Sequence, residues 1–139
     1  MAILIKHVSL KVGNLERARA FYEEVLGYKH IRTGNSTGLD GDYVVCHMTD
    51  GSVDLALEYF GESAEPEAAH SATPGIDHFG MEVEDIEAFL RKIEPWGGKV
   101  LIRHSAARVK FKVPGLPTME IVQAGRWTKP IQAIDMSQA

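Results

Sequence analysis

The chain begins with a stretch in which apolar and polar residues alternate, which is typical of a β-strand with one buried face. In residues 6–12 the apolar side chains are Val8, Leu10 and Val12, and the side chains between them are His7, Ser9 and Lys11. Apolar residues then recur with helical spacing from Leu15 to Leu26. Asn14 is suited to cap the start of this helix and Gly27 to end it. The pattern predicts a strand followed by a helix.

The same strand and helix return 71 residues later. Sliding the chain against itself by that distance aligns residues 5–32 with residues 76–103 without a gap. The matched pairs include His7 and His78, Val12 and Val83, Gly27 and Gly98, and Arg32 and Arg103. Since chance is a poor explanation for so many matches in one register, we interpret the chain as two copies of one module.

Three further strand-like stretches follow each helix. They are residues 28–33, 42–49 and 52–60 in the first copy, and residues 99–104, 107–113 and 118–123 in the second. Turn-forming residues separate them, notably at 34–38, 50–51 and 114–117. The prediction is an α+β fold of two tandem βαβββ modules.

These modules are expected to form a single domain over residues 1–139. Module 1 spans about 3–60, a linker spans 61–74, module 2 spans about 75–124, and a C-terminal tail spans 125–139. The tail shows little pattern, so both a mobile segment and a dimer-binding arm are open for it. Arg126 and Trp127 could either close the site or anchor the tail.

Each copy offers one imidazole and one carboxylate on the polar faces of its strands. His7 and His78 lie in the first strands, and Glu58 and Glu120 lie opposite apolar neighbours in the last strands. A carboxylate in such a position is costly to bury unless it is paired or bound to a metal. Any one of these residues alone would be read as ordinary, but four at repeat-equivalent positions predict a divalent metal site. This N/O set suits Ni, Zn, Co, Mn or Fe(II) and does not choose among them.

Composition limits the possible partners. The 139 residues are 45% hydrophobic and 24% charged, which is ordinary for a soluble globular domain. The net charge of −4 argues against general nucleic-acid binding, and no apolar run is long enough to cross a membrane. The first residues do not resemble a signal peptide, and the only cysteine is Cys46. We therefore expect a cytoplasmic protein that binds neither nucleic acid nor membranes.

The opening motif resembles that of a known family. It combines His7, Leu10, Val12, Asn14 and Leu15 with the pairs Phe21-Tyr22 and Leu26-Gly27. This motif is similar to the start of the vicinal oxygen chelate superfamily, which includes glyoxalase I, methylmalonyl-CoA epimerase, extradiol dioxygenases, fosfomycin-resistance enzymes and bleomycin-binding proteins. The resemblance covers residues 5–123. The family's usual Asp-Pro-Asp-Gly-Asn turn before the last ligand is replaced here by residues 113–117, Val-Pro-Gly-Leu-Pro.

The resemblance implies an open cup around a divalent metal held by His7, Glu58, His78 and Glu120. It also implies a homodimer, with the site either inside one chain or shared between two. Four intact ligands favour a glyoxalase I-like lyase or isomerase, in which a carboxylate moves a proton beside a metal-polarised carbonyl. Glu120 is our preferred base and Glu58 the other candidate. Lys11, where glutathione-using relatives carry an arginine, does not indicate glutathione as co-substrate.

Two alternatives remain open. An Fe(II) extradiol-type dioxygenase would use only His7, His78 and Glu120, and a metal-free binding or resistance protein would need none of the four. Other polar residues are assigned no role in the site. For Arg108, Lys110 and Lys112 we favour a solvated stripe over a role in lining the cup and binding an anionic substrate, and we interpret His30, His47, His70 and His104 as surface residues.

Overall fold

The computed structural model describes residues 2–39, 41–61, 74–114 and 116–137. Its strands and helices, in chain order, are β1 (Ile5–Lys11), α1 (Leu15–Glu24), β2 (Lys29–Gly38), β3 (Gly41–Thr49), β4 (Asp54–Tyr59), β5 (Gly75–Val83), α2 (Ile86–Ile93), β6 (Lys99–Ser105), β7 (Arg108–Lys112), β8 (Met119–Gln123) and α3 (Thr128–Gln132). A 3₁₀ turn, Glu94–Trp96, follows α2. No described helix is both long and apolar enough to cross a membrane.

All eight strands form one curled mixed sheet, in the order β2-β3-β4-β1-β5-β8-β7-β6. In each half the first strand of the module runs parallel to its last strand, β1 beside β4 and β5 beside β8. The halves meet where β1 pairs with β5 in antiparallel fashion. The predicted fold of two tandem βαβββ modules is confirmed, and both modules belong to one continuous sheet within one chain.

Helices α1 and α2 cover one face of the sheet and bury its apolar side chains. In the first half Leu15, Ala18 and Tyr22 pack against a cluster that includes Met48 and Leu57. The second half repeats this arrangement, with Phe89, Leu90 and Ile93 packed against a cluster that includes Phe111 and Ile121. Strand alternation then turns the intervening side chains to the opposite face, which we call the cup face.

The predicted helix ends are present. Asn14 Oδ1 accepts a hydrogen bond from the backbone N–H of Arg17 at 3.0 Å. Asp85 caps α2 in the same way, accepting from the N–H of Ala88 at 2.9 Å. Gly27 adopts a φ of 74° just after α1, a conformation that glycine tolerates best.

Most strand limits differ from the prediction by one or two residues, and the largest difference is at the end of β2. Residues 34–38 were expected to form a turn, but β2 continues through them to Gly38, which pairs with Gly41 at the start of β3. Ladder pairing with β3 supplies hydrogen bonds along this segment and outweighs the weak strand preference of its glycine and polar residues. Most of the predicted linker, residues 62–73, lies outside the described residues.

The C-terminal segment packs against the sheet. Trp127 and Ile131 are buried and form a cluster with Val122 and, from the first module, Ile31. The backbone N–H groups of Trp127 and Thr128 donate to Glu82 Oε2 at 3.0 and 3.1 Å. The segment therefore reaches from β8 to β2 and lies over the cup face.

Candidate active site

Three of the four predicted metal ligands converge on the cup face, beside the junction of β1 and β5. The Nε2 atoms of His7 and His78 are 3.2 Å apart. Glu120 Oε1 lies 3.6 Å from the first and 3.8 Å from the second. All three side chains are buried, and all three belong to the same chain.

A carboxylate holds the second nitrogen of each imidazole. The Nδ1–H of His7 donates to Asp54 Oδ2 at 2.6 Å, and that of His78 donates to Asp77 Oδ2 at 2.6 Å. In a neutral imidazole this leaves Nε2 without a proton, so both lone pairs point to the space in front of Glu120. Histidines that bind metals are commonly oriented by carboxylates in this way.

The donor set fits a divalent metal. Two nitrogens bound about 2.1 Å from one ion, at angles between a right angle and a tetrahedral angle, lie about 3.0 to 3.4 Å apart. The 3.2 Å between His7 Nε2 and His78 Nε2 falls within that range. Among the described residues, one ligand atom each from His7, His78 and Glu120 lies within 4.8 Å of the other two.

Glu120 is anchored through one of its oxygens. Arg108 Nε donates to Oε2 at 3.0 Å, and Oε1 faces the two imidazoles. Burial opposes ionisation of Glu120, but the interactions with His78, His7 and Arg108 outweigh it and hold the pKa well below its usual range. Glu120 is therefore a fixed negative charge.

Glu58 lies in the same cavity but belongs to a neighbouring group. Its carboxylate clusters with Asp77 and His78, not with His7 and Glu120. It is 2% exposed, and its Oε1 has no hydrogen-bond partner among the described residues. Burial raises the pKa of Glu58 to about 7.

A cavity of about 230 Å³ opens in front of these residues. His7, Glu58, His78 and Glu120 all line it. The indole of Trp127 forms another wall and stacks on the His7 ring, with centroids 4.4 Å apart and planes tilted by 7°. The cavity is therefore polar at its base and has an aromatic wall supplied by the C-terminal segment.

The space for Trp127 is provided by a glycine. Gly80 lies opposite His7 in the β1–β5 pairing. A Cβ atom at this position would lie 2.6 Å from Trp127 Cη2. Of the two roles left open for the Arg126-Trp127 pair, the structure supports both, because Trp127 anchors the tail and walls the cavity, while Arg126 lies at its mouth.

Some residues given no role by the sequence also belong to the site. The surface assignment was wrong for His47, which is buried and donates through Nδ1 to Asp54 Oδ1 at 2.9 Å. The solvated-stripe assignment was wrong for Arg108 and Lys110. Arg108 holds Glu120, and Lys110 is 3% exposed beside Glu58.

The other residues assigned to the surface or to the solvated stripe are exposed, half-buried or outside the described residues. Lys112 is exposed, as expected. His30 is half-buried and hydrogen-bonded to Thr33. His104 is half-buried, and its Nε2 has no hydrogen-bond partner among the described residues. His70 lies outside the described residues.

Of the two carboxylates that hold the imidazoles, the sequence pattern could have predicted Asp54 but not Asp77. Asp54 has a signal, because strand alternation places it on the same face as Glu58, four residues later. Asp77 has none, because alternation would send it to the face opposite His78. In the structure Asp77 is the extra residue of a β-bulge, since Ser9 pairs with His78 and the next pair is Leu10 with Ile76.

Comparison with known proteins agrees with this architecture. The sequence model of the Glyoxalase/Bleomycin resistance protein/Dioxygenase superfamily matches residues 4–106. A lactoylglutathione lyase from Haemophilus influenzae is 28% identical over 96 residues, which are 69% of this chain and 70% of that protein. A catechol-2,3-dioxygenase from Bacillus subtilis is 25% identical over 115 residues, covering 81% of this chain but only 39% of the dioxygenase.

Solved structures show the same fold. The crystal structure of methylmalonyl-CoA epimerase from Mycobacterium tuberculosis matches with a TM-score of 0.64 and 18% identity, covering 86% of each chain. A 4-hydroxymandelate synthase mutant from Streptomyces coelicolor matches with a TM-score of 0.67 and 15% identity, covering 88% of this chain and 39% of the synthase. At these identities the likeness concerns the fold alone. With the family match over most of its length, the chain belongs to the Glyoxalase/Bleomycin resistance protein/Dioxygenase superfamily.

Proposed function

We propose that this protein is a divalent-metal-dependent lyase or isomerase that transfers a proton next to a carbonyl group of a small molecule. His7, His78 and Glu120 would hold the metal. The observation that carries the proposal is Glu58, a buried carboxylate in the same cavity with an oxygen that has no hydrogen-bond partner among the described residues. Metal binding by the triad alone does not require such a group.

The bound metal would polarise the substrate carbonyl and make the adjacent C–H more acidic. Glu58 would accept that proton and return it to a neighbouring carbon. The base expected from the sequence was Glu120, but Arg108 holds one of its oxygens and the other faces the two imidazoles with which it would share the metal. We therefore propose Glu58 as the base, with coordination of the metal as its other possible role.

The named relatives agree with this class of reaction. One similar sequence is called a lactoylglutathione lyase and one similar structure a methylmalonyl-CoA epimerase. Asp54 and Asp77 would keep the two imidazoles oriented for the metal. Trp127 would shield one side of the reacting group from water.

A second function, Fe(II)-dependent ring cleavage, is favoured by one specific observation. Two histidines and one carboxylate with open positions form the ligand set of many non-haem Fe(II) oxygenases. His7, His78 and Glu120 provide such a set, and one relative is called a catechol-2,3-dioxygenase. In this case Glu58 would not be needed.

Metal content and hydrogen exchange together test the proposal. Protein purified without chelators is analysed for metals, alongside His78→Ala. The metal-loaded protein is then incubated in D₂O with pyruvate and with hydroxyacetone, and exchange beside the carbonyl is followed by proton NMR. We expect bound Ni, Zn, Co or Mn that is lost in His78→Ala, and exchange that is lost in Glu58→Gln although the metal is retained. Glu84→Gln, at an exposed position, is the control.

Three results would count against the proposal. Exchange by Glu58→Gln at the wild-type rate would remove Glu58 from the proton transfer. Bound iron with catechol-dependent oxygen uptake that persists in Glu58→Gln would favour the dioxygenase. If the protein contains no metal and takes up none when metal ions are titrated into it, the result would favour the metal-free binding protein.

A further inference from the structure

The mouth of the cavity carries two arginines from opposite halves of the molecule. Arg32 lies on β2, the edge strand of the first module, and Arg126 lies between β8 and α3. Both line the cavity and both are exposed at its rim. Contact between Ile31 and the C-terminal cluster around Trp127 brings these two distant segments together.

These arginines differ in their pairing from the third arginine of the cavity. Among the described residues, neither Arg32 nor Arg126 forms a salt bridge, whereas Arg108, the third arginine of the cavity, is paired with Glu120. Burial, followed by the charge of Arg108 and, more weakly, that of Arg32, lowers the pKa of Arg126, while the charge of Glu120 acts in the opposite direction. Like charges held together in this way cost free energy that a bound anion would recover.

The internal repeat supplies a comparison. Arg103 is the counterpart of Arg32 in the second module. Its Nη1 donates to Glu87 Oε1 at 3.0 Å, in an exposed salt bridge on α2. The arginine of the outer surface therefore has a carboxylate partner, whereas its counterpart at the cavity mouth has none among the described residues.

We propose that Arg32 and Arg126 bind the anionic group, a carboxylate or a phosphate, of a small substrate whose carbonyl lies at the base of the cavity. The substrate part of this inference rests on the proposed function. Guanidinium groups suit either anion, because both can accept two parallel hydrogen bonds. The volume of about 230 Å³ is below the usual range for drug-sized ligands, so the molecule is compact. Small carbonyl acids and their phosphorylated counterparts form this class.

Anion binding can be measured without the metal. Trp96, which is 75% exposed, is replaced by phenylalanine so that Trp127 is the only tryptophan in the protein. Inorganic phosphate and malonate are titrated separately into metal-free protein at constant ionic strength, and Trp127 fluorescence is recorded. The two titrations distinguish a phosphate group from a carboxylate, and saturable binding of either supports the proposal.

Substitutions then locate the binding site. We expect Arg32→Met and Arg126→Met each to weaken binding about tenfold, which corresponds to about 1.4 kcal/mol. Arg32→Lys and Arg126→Lys should restore part of the affinity because they keep the charge. Arg103→Met, the matched control, should bind like the wild type. No saturable binding of either anion to the wild type, or equal weakening by Arg103→Met, would overturn the proposal.

The result can be separated from that of the proposed function. Arg126→Met should retain the metal, and its exchange with pyruvate should fall by a larger factor than its exchange with neutral hydroxyacetone. If the wild type binds anions at Arg32 and Arg126 but neither retains a metal nor promotes exchange, the proposed function fails and the anion site stands. If exchange proceeds normally but both arginine variants treat pyruvate as the wild type does, the anion site is refuted and the proposed function stands.

Discussion

Replacing Glu58 by glutamine should change how the stability of the metal-free protein depends on pH. Glu58 is buried, and burial raises its pKa from 4.5 to about 7. Because the folded pKa lies above the unfolded one, the folded state binds more protons between these values. As pH rises through this window, ionisation of Glu58 therefore lowers the free energy of unfolding of the wild type. The amide side chain of Glu58→Gln does not ionise, so the variant does not lose this free energy.

The size of the effect follows from the pKa shift. Each pKa unit corresponds to about 1.4 kcal/mol. Integrated over pH, ionisation of Glu58 costs the folded state about 1.4 kcal/mol at about pH 5.5 and about 3.4 kcal/mol at about pH 8.5. The difference in free energy of unfolding between Glu58→Gln and the wild type should therefore be about 2 kcal/mol larger at the higher of these two pH values, in favour of the variant. The comparison between pH values cancels any constant effect of the amide.

Urea unfolding in the presence of EDTA measures this difference, with tryptophan fluorescence as the signal. Glu24→Gln, at an exposed position of α1, should differ from the wild type by the same amount at both pH values. Parallel stability profiles of Glu58→Gln and the wild type from about pH 5.5 to about pH 8.5 would refute the reasoning, because they would mean that Glu58 ionises as easily in the folded state as in the unfolded chain. Adding the metal to the wild type should then raise its stability by mass action.

Three further outcomes are expected. Gly80→Ala should displace Trp127 and lower the free energy of unfolding by about 1–3 kcal/mol, as measured by urea unfolding. Tryptophan emission should shift at the same time, and an unchanged emission spectrum would contradict this. Asp54→Asn and Asp77→Asn should each weaken metal affinity by about 10–100-fold in calorimetric titrations, and wild-type affinity in both would argue against their orienting role. Burial, with the positive charges nearby, lowers the pKa of His104 to about 4, so protonation of His104 should cost the folded state stability as pH falls from about 6.5 towards about 4, opposite in sign to the effect of Glu58. His104→Asn should lose less stability over that range, and an identical acid-unfolding profile would contradict this.

The fold was predictable because its determinants are local and repeated. Strand alternation, helix spacing and the caps at Asn14 and Asp85 are each readable within a few residues, and the match of His7 with His78 sets the register between the copies. The confirmed βαβββ modules follow from these signals. The extension of β2 to Gly38 did not follow, because it depends on pairing with β3 and not on local preference.

The surroundings of the site were harder to predict because they depend on contacts between distant segments. Alternation placed His7, Glu58, His78 and Glu120 on the polar faces of their strands, and all four line one cavity. The sequence could not place Trp127 on His7, since that contact requires the C-terminal segment to cross the sheet.

The hydrophobic pattern also could not predict that Glu58 lies apart from the triad of His7, His78 and Glu120. Alternation states which face a side chain occupies but not which neighbours it meets on that face. The distance between side chains on the cup face depends on the curvature of the sheet and on the bulge at Asp77. Neither can be predicted from the hydrophobic pattern.

The antiparallel β1–β5 pair has a consequence for folding kinetics. It joins halves that otherwise complete their own strand pairings, and it brings together His7 and His78, which are 71 residues apart in the chain. Contacts over long sequence separations form at a higher entropic cost than local ones. We therefore expect the imidazole pair to assemble after the folding transition state, so that a bound ion slows unfolding and leaves the folding rate nearly unchanged.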